Sequence, residues 1–503
     1  MRIFCDSPNP EFIRMQSFDV IVIGSGIGGL VAGGLLAHSG KQVLILESHS
    51  LPGGAAQGFS RRGFHFDSGP SFYCGLSDSQ GLNPLRQVLT RLGESLETVV
   101  YDPLGHYHFP DGRLAVYGGS EDYQRAIAEF SPLGAREFAK FEQRLLKVYQ
   151  GLKEIPAIEL RADWKVIFKL ITNYGFSVLK LLPLLGDISS SVGQIVDQTV
   201  RDPWVRRLID LECFLLSGLK AEATITPEVA FMFGERINSV IEYPIGGSQA
   251  IVQALVRGLT KFGGKIQLGT HVNQILVKSG KVYGVQTRKG EQFHAPIVIS
   301  NATIWDTYTH LLDQNDLPAT YRNTCLQTPA LDSFMHLHLG IKSEGLEGLT
   351  GHHVVVHDNN IDITIPGNTC MISIPSVWDQ NLAPTGYHGI HAYTLEPFAG
   401  WSKDEFYPQN KRQKAEPLYR ALEKIIPDLR QRITLELIGT PLTHARFLRR
   451  YQGTYGPAIQ AGKGRFPGPF TPIQGLYLVG DSTQPGIGVP AVAASGILCA
   501  NCL

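Results

Sequence analysis

Three glycines, Gly24, Gly26 and Gly29, stand in the spacing G-x-G-x-x-G within "VIVIGSGIGGLVAGG". The chemistry this spacing permits is phosphate binding by the main chain. The first glycine allows a tight turn, the second lets backbone amides approach a pyrophosphate, and the third lets a helix pack close to a strand. Glu47 follows 18 residues after Gly29, at the position where a carboxylate grips a ribose hydroxyl. Gly53 and Gly54, then "GFHFDSG" with Asp67 and Gly69, add a second flexible turn near the same phosphates. More than 400 residues further on, Asp481 ends "LYLVGD", and Gly486 and Gly488 frame "PGIGVP".

These residues need elements to hold them. "FDVIVIG" and "KQVLILE" read as buried parallel strands, and "IGGLVAGGLLAHSG" as the helix between them, its N-terminal dipole facing the phosphates. "LYLVGD" is a further buried strand, and Pro490 sits in the first turn of the helix that follows. Between the two ends, "HVNQILVKSGKVYGVQTRKGEQFHA" alternates apolar and polar residues as an antiparallel meander does, and "PIVISNA" is one more buried strand. A Glu at position 47 argues against a 2′-phosphate but does not separate NAD from FAD. The second glycine turn does, because a flavin domain must accommodate a large ring system beyond the pyrophosphate. Asp481 suits a ribityl hydroxyl, and the amides after Gly488 suit the electron-rich edge of a reduced flavin.

Length and charge narrow the field. A chain of 503 residues is expected to form two or three folding units, or one cofactor unit interrupted by insertions. With 45 Lys+Arg against 45 Asp+Glu there is no broad positive field, and a nucleic-acid partner is not expected. The seven cysteines are odd in number and scattered, which fits a reducing compartment; Cys499 and Cys502 form C-x-x-C without a following βαβ pattern. The first residues, "MRIFCDSPNPEFIRMQS", lack the apolar core of a secretory signal and are short and Arg-poor for a transit peptide, with Met15 an alternative start.

The segment 164–185, "WKVIFKLITNYGFSVLKLLPLL", contains three lysines and no acid. Lys165, Lys169, Thr172 and Asn173 fall on one helical face, and Trp164, Ile167, Phe168 and Ile171 on the other. Its charges and Pro183 argue against spanning a bilayer. The expected alternatives are a helix lying in the membrane interface, its lysines toward anionic headgroups, and a helix packed on the protein's own core. His336 and His338 share a strand face in "SFMHLHLG", with His352, His353 and His357 following in "GHHVVVH" and His106 and His108 in a hairpin "GHYHFPDG". No acid or cysteine accompanies them at ligand spacing, and no metal site is expected. Arg446, Arg449 and Arg450 either support the cofactor or solvate a helix. No nucleophilic triad can be argued, and no catalytic residue is assigned.

Taken in order, Gly24-x-Gly26-x-x-Gly29, Glu47, Gly53-Gly54, "GFHFDSG", "GGKIQLGTHVNQI", "VISNA" and "TPIQGLYLVGDSTQPGIG" resemble FAD-dependent amine-oxidase-like flavoproteins, above all the bacterial-type phytoene desaturases, carotenoid isomerases and retinol saturases. The resemblance implies an α/β fold: a Rossmann-like FAD-binding domain with a parallel sheet and an antiparallel meander, an inserted α+β substrate domain and a membrane-facing helical region. The expected FAD-binding parts are 17–110, 244–310 and 470–503, with a membrane-associating insertion at 111–243 and a substrate domain at 311–469. The residues expected to hold FAD are Gly24, Ser25, Gly26, Ile27, Gly28, Gly29, Glu47, Ser48, Gly53, Gly54, Val272 through its backbone at the adenine, Gly480, Asp481, Gly488 and Val489.

The implied substrate is a membrane-dissolved polyene, a carotenoid or retinoid, met at the cytoplasmic or plastid-stromal side of a membrane. The implied reaction is cis-trans isomerisation using reduced flavin without net redox. The alternatives are desaturation or saturation by hydride transfer to or from flavin N5, then amine oxidation. A further one is a flavin-free prenyl-lipid escort like the Rab GDP-dissociation inhibitors, for which an intact phosphate turn, Asp481 and the Gly486–Gly488 turn would be superfluous.

Overall fold

The computed structural model describes residues 17–69, 71–78 and 81–503; the N-terminal reading, Cys5 and Met15 included, lies outside them. The glycine turn belongs to a five-stranded parallel sheet in the order Leu476–Leu478, Ile297–Ser300, Val20–Ile23, Val43–Leu46, Lys265–Gln267. Val20 pairs with Ile297 on one side and Val43 on the other. The central strand has both faces covered, with Val20, Ile21 and Val22 wholly buried, which is why it reads as an unbroken apolar run. Helix Ile27–His38 crosses from the first strand to the second and packs against helices Ser248–Lys261 and Val489–Ala500. The approach to Val489–Ala500 is close: a Cβ on Gly496 would meet Val31 Cγ1 at 2.7 Å and Gly28 O at 2.8 Å. The meander forms as the three strands Val272–Lys278, Lys281–Thr287 and Gln292–His294.

A second, seven-stranded sheet runs Ile433–Gly439, Ser333–Lys342, Tyr387–Glu396, Thr369–Ser373, His352–Val356, Gly105–Phe109, Gly112–Val116. Its pairings are antiparallel except His352–Val356 with Gly105–Phe109. The period of two divides each strand. Met335, Leu337, Leu339 and Ile341 join Ala415, Leu418 and Leu422 of helix Tyr407–Glu423 in one core, which leaves Phe334, His336 and His338 on the opposite face. The boundary expected at residue 110 falls between Gly105–Phe109 and Gly112–Val116, and both strands of that hairpin belong to this sheet. Gly105–Phe109 joins the sheet through partners 247 residues away, such as Tyr107 with Val354, which local spacing could not reveal. The boundary at 243 likewise cuts the strand Glu242–Pro244, which pairs with Thr98–Val100.

Helices Ser120–Phe130, Pro132–Lys153, Pro203–Ser217 and Thr226–Asn238 cover the far end of that sheet around Phe138, Phe141, Leu145 and Phe233. Inside them Arg236 Nη1 lies 3.1 Å from Glu212 Oε1, and both groups are almost fully buried. Helix Lys165–Leu181 lies on Pro132–Lys153 with its apolar side chains outward: Trp164 is 75% exposed, Phe168 69% and Phe176 74%. Of the three lysines, Lys165 is exposed, whereas the other two are held by acids. Lys169 Nζ pairs with Glu159 Oε2 at 2.5 Å, and Lys180 pairs with Glu154. The acids precede the segment, so two of its three lysines are neutralised and the exposed surface is mainly apolar, with Lys165 at one end. Among the described residues, the run Lys165–Ser189 is long and apolar enough to cross a membrane by length and composition, but it is bent at Tyr174 and broken by a 3₁₀ turn at Pro183.

Candidate active site

The strand Val20–Ile23 delivers the chain into the turn at Gly24, whose φ of +92° suits glycine. Gly26 is the N-cap of helix Ile27–His38 and has no side chain to satisfy the first-turn amides, and no acid stands in that turn. The positive end of the helix is therefore open to an anion. The floor is backbone only: a Cβ on Gly28 would meet Gly480 N at 2.9 Å, and one on Gly29 would meet Gly24 O at 2.4 Å. Gly53 lies alongside, its N–H donating to Ser25 O at 3.0 Å, with Gly26 and Gly53 bridged as in a sheet. The two glycine turns named from the sequence are thus brought together. A side chain at Gly53 would strike Val252 Cγ2 at 2.7 Å, and one at Gly54 would approach Gly26 Cα at 3.2 Å.

Glu47 emerges from the neighbouring strand, 8% exposed. Ser25 N and Ser25 Oγ both donate to its Oε2 at 2.8 Å. His49 N donates to Oε1 at 2.7 Å and Ser48 Oγ to the same atom at 3.2 Å. The carboxylate is fixed at the mouth of the turn, and the two serine hydroxyls are the partners that can rotate away for a ribose. Thr270 N donates to Glu47 O at 2.8 Å, which brings the start of strand Val272–Lys278 beside the same carboxylate.

The C-terminal segment closes the site. Gly480 N donates to Ser495 Oγ at 3.0 Å. Arg450 Nη2 donates to Asp481 Oδ2 at 2.5 Å while its Nε donates to Thr454 O at 2.6 Å. Of the three arginines left open by the sequence, Arg450 therefore supports the cofactor segment; Arg449 ends its helix in a left-handed conformation and Arg446 lies over Phe447. Gly488, at φ +97°, is the N-cap of Val489–Ala500, again without a side-chain cap or a first-turn acid. Two helices that begin at glycines without a side-chain cap of their own, with a main-chain floor at Gly28 and Gly480, fit a dinucleotide with an anionic ring edge.

Two polar residues in this region had no role in the sequence reading. Asn301 follows strand Ile297–Ser300, and its Oδ1 accepts from Gly29 N, so it supplies from another strand the cap that Gly26 cannot. A side chain at Gly26 would meet its Nδ2 at 3.0 Å. Asp67 does the same for helix Ser248–Lys261, whose N-cap is Gly247: Ser248 N and Oγ donate to Asp67 Oδ1 at 2.9 and 2.6 Å, and Tyr243 Oη donates to Oδ2 at 2.7 Å. Burial raises the Asp67 carboxyl above its usual range, with the hydrogen bonds from Ser248 and Tyr243 working against it. In each case an Asn or Asp at the end of a strand was the available signal.

Asp67 leads into the inner face of the seven-stranded sheet. His338 Nε2 lies 3.3 Å from Asp67 O. From there a row of rings, each within 16° of parallel to the next, runs His338, His391, His336, His444, Tyr455 at centroid spacings of 4.3, 5.3, 5.1 and 5.0 Å. Burial pushes His338 down to about 4 and His444 to about 3, the latter helped by Arg450, so the rings are neutral at physiological pH. Tyr243, Trp378 and Tyr101 stack in turn beyond Asp67, with His352 against Trp378 and Phe72. Sequence reasoning placed His336 and His338 on one face and could not place an aromatic wall. The missing partners come from strand Tyr387–Glu396 and helix Pro441–Leu448, and only the pairing of His338 with His391 brings them together. Among the described residues no group of three or more His, Cys, Asp or Glu side chains is arranged to hold a metal. Cys499 and Cys502 are free thiols, the second donating to Leu498 O.

The profile of the flavin-containing amine oxidoreductases matches residues 27–503. Among known proteins, the chloroplastic prolycopene isomerase of Daucus carota is 36% identical over 97% of this chain and 80% of its own length. A neurosporene-forming phytoene desaturase of Rhodobacter capsulatus is 28% identical over 96% and 93%, and an all-trans-retinol 13,14-reductase of Danio rerio is 26% identical over 92% and 82%. Of solved structures, an oxidoreductase from Methanosarcina mazei covers 96% of the chain and 99% of its own at a TM-score of 0.62 and 21% identity, and putrescine oxidase covers 97% and 98% at 0.62 and 15%; these two speak to the fold. With the open glycine cradle and a matching profile over almost its whole length, the chain belongs to the family of flavin-containing amine oxidoreductases and is an FAD enzyme.

Proposed function

We propose that this enzyme rotates carbon-carbon double bonds of a carotenoid-type polyene from cis to trans, drawing the substrate from a membrane and returning the flavin unchanged. The observation that supports this most is the 35–36% identity to prolycopene isomerases of three plants across 96–97% of the chain, against 28% or less for the desaturases and the retinol reductase. Reduced FAD, when bound, supplies an electron-rich surface beside which a double bond can lose its order and rotate.

The chain's own residues have separable tasks. The amides after Gly24 and Gly26, with Ser25, Ile27, Gly28 and Gly29, take the pyrophosphate together with Gly53 and Gly54. Glu47 and Ser48 take the ribose, the Val272 backbone the adenine, Gly480 and Asp481 the ribityl chain, and the amides of Gly488 and Val489 the ring edge. The ring row and the Tyr243–Trp378–Tyr101 stack form a wall of buried, uncharged rings for a substrate without polar handles. Helix Lys165–Leu181 dips its exposed apolar face into the interface, with Lys169 and Lys180 latching it to the body. The polyene is thereby met at the membrane surface, on the plastid-stromal or cytoplasmic side. In this reading 17–110, 244–310 and 470–503 serve the cofactor, apart from Gly105–Phe109, which serves the substrate sheet.

The deciding experiment is the mass of the product after anaerobic incubation of flavin-reduced protein with a poly-cis carotene in liposomes. Unchanged mass with altered chromatographic retention is expected. A change of two hydrogens would instead establish desaturation or saturation, the reading that the desaturase and reductase likenesses favour.

A further inference from the structure

We propose that Arg449 and Phe447, at the end of helix Pro441–Leu448, clasp the ADP half of FAD: Arg449 is the counter-charge of the pyrophosphate, and Phe447 covers the adenine. This role rests on the cofactor placement given above. The cradle itself holds no cation, since none of residues 24–29, 53–54 and 480–489 is Lys or Arg. Glu47, fixed beside the turn by four hydrogen bonds, adds a carboxylate. A helix N-terminus offers only about half a positive charge, and a pyrophosphate brings two negative ones. Arg450 is already engaged with Asp481.

Arg449, its neighbour, is exposed and forms no ion pair among the described residues. Its φ of +53° is a conformation that residues other than glycine rarely adopt. Arg450 turns inward from there to Asp481 and Thr454 O, while Arg449 stays in electrostatic reach of His271. Burial first, then Arg449 and Arg288, lower the basicity of His271, and Glu47 acts the other way. The two arginines and Glu47 thus lie close to one ring, and that ring directly precedes Val272.

Phe447 reaches the same neighbourhood. Its ring meets His49 edge-on, with centroids 6.1 Å apart and planes at 74°. His49 is held in turn: Leu51 N donates to its Nδ1 at 3.0 Å, and Gly269 N donates to His49 O at 2.9 Å, which brings the stretch before Val272 alongside. Phe447 is 50% exposed, and a purine held between Glu47 and the Val272 backbone would cover it. An arginine beside the pyrophosphate offers the paired N–H donors that match phosphate oxygens. From the buried side of the same helix His444 enters the ring row, so one helix serves both the nucleotide end of the cofactor and the substrate wall.

The test is equilibrium binding of FAD and of ADP to the flavin-free full-length protein, by titration calorimetry at several KCl concentrations. The wild type is expected to bind ADP in competition with FAD. Arg449→Gln is expected to weaken both ligands by about 10-fold or more, as loss of a charge-assisted hydrogen bond does, and to flatten the fall of affinity with added KCl. Arg449→Lys, which keeps the charge and loses the fork, is expected to fall between the two. Phe447→Ala is expected to weaken both ligands by about 5-fold with the KCl dependence of the wild type. Full affinity in Arg449→Gln and Phe447→Ala, or a loss in Arg449→Gln with an unaltered KCl dependence, would overturn the clasp. Gly29→Val separates the clasp from the placement of the cofactor. If that variant keeps FAD, the placement falls and the clasp with it; if it loses FAD while the two clasp variants bind fully, only the clasp falls. Should the variants not fold, modification of the wild type by phenylglyoxal decides, read from peptide masses. ADP is expected to shield Arg449, and equal modification with and without ADP would refute the clasp.

Discussion

The flavin cradle and the inner face of the seven-stranded sheet are built on opposite principles. The cradle is main chain: Gly24, Gly26, Gly28, Gly29 and Gly53 work by having no side chain, and two helix N-termini supply its polarity. The sheet face is side chain: five rings from two strands, one helix and one loop make a row that no single segment contains. The cradle therefore tolerates no added atom, whereas the sheet face can change its chemistry one ring at a time. A family that keeps one cofactor and varies its reaction would be expected to divide the molecule this way.

The sharpest break of this comparison is Gly29→Val. The new side chain would collide with backbone, Gly24 O at 2.4 Å from its Cβ, so nothing flexible can yield. Complete loss of bound FAD is expected after gel filtration, read from the flavin absorbance, whereas His444→Phe in the ring row should emerge fully loaded. Next in size, Asp at Ile167, Phe168 and Phe176 together should weaken vesicle binding by about 10²-fold or more, because each of these side chains contributes roughly 1.5–3 kcal/mol when buried. Sedimentation with neutral and anionic vesicles should give affinities that differ only a few-fold for the wild type, since Lys169 and Lys180 are already paired and Lys165 alone is left exposed.

A third effect separates the regions by pH. His338 is held at about 4 in the folded chain against an ordinary 6.5, so between those values the unfolded chain binds a proton that the folded one refuses. The stability of the wild type relative to His338→Gln should therefore fall as pH drops from 6.5, by about 1.4 kcal/mol per unit, and level off below about 4. Denaturant titrations of both proteins across that window would measure it. The smallest effect belongs to Asn301→Ala, which removes the cap on Gly29 N and should cost about 1 kcal/mol, visible as a weakened FAD affinity with the ring row untouched.

What was legible from residues follows the same division. The strands around Gly24 and Glu47, the meander, and the strand and helix around Asp481 could be read because period, glycine spacing and charge are local. His336 and His338 could be placed on one face, but His391 is 55 residues away in sequence and became their neighbour only through strand register. The pairing of Lys169 and Lys180 was hidden for a similar reason: Glu154 and Glu159 precede the segment, and only the packing of the helix brings them into reach. Asn301 stands in "VISNA" far from the helix of Gly29, and its task is not legible there because a cap normally stands next to the helix it serves.

That borrowed cap orders events during synthesis. The side chain that holds Gly29 N leaves the ribosome 272 positions after the glycine it serves, and the edge strand Leu476–Leu478 later still. Flavin capture is thus a late step of biogenesis. Nascent chains arrested before residue 301 should emerge colourless, and a yellow molecule certifies that its distant halves have met.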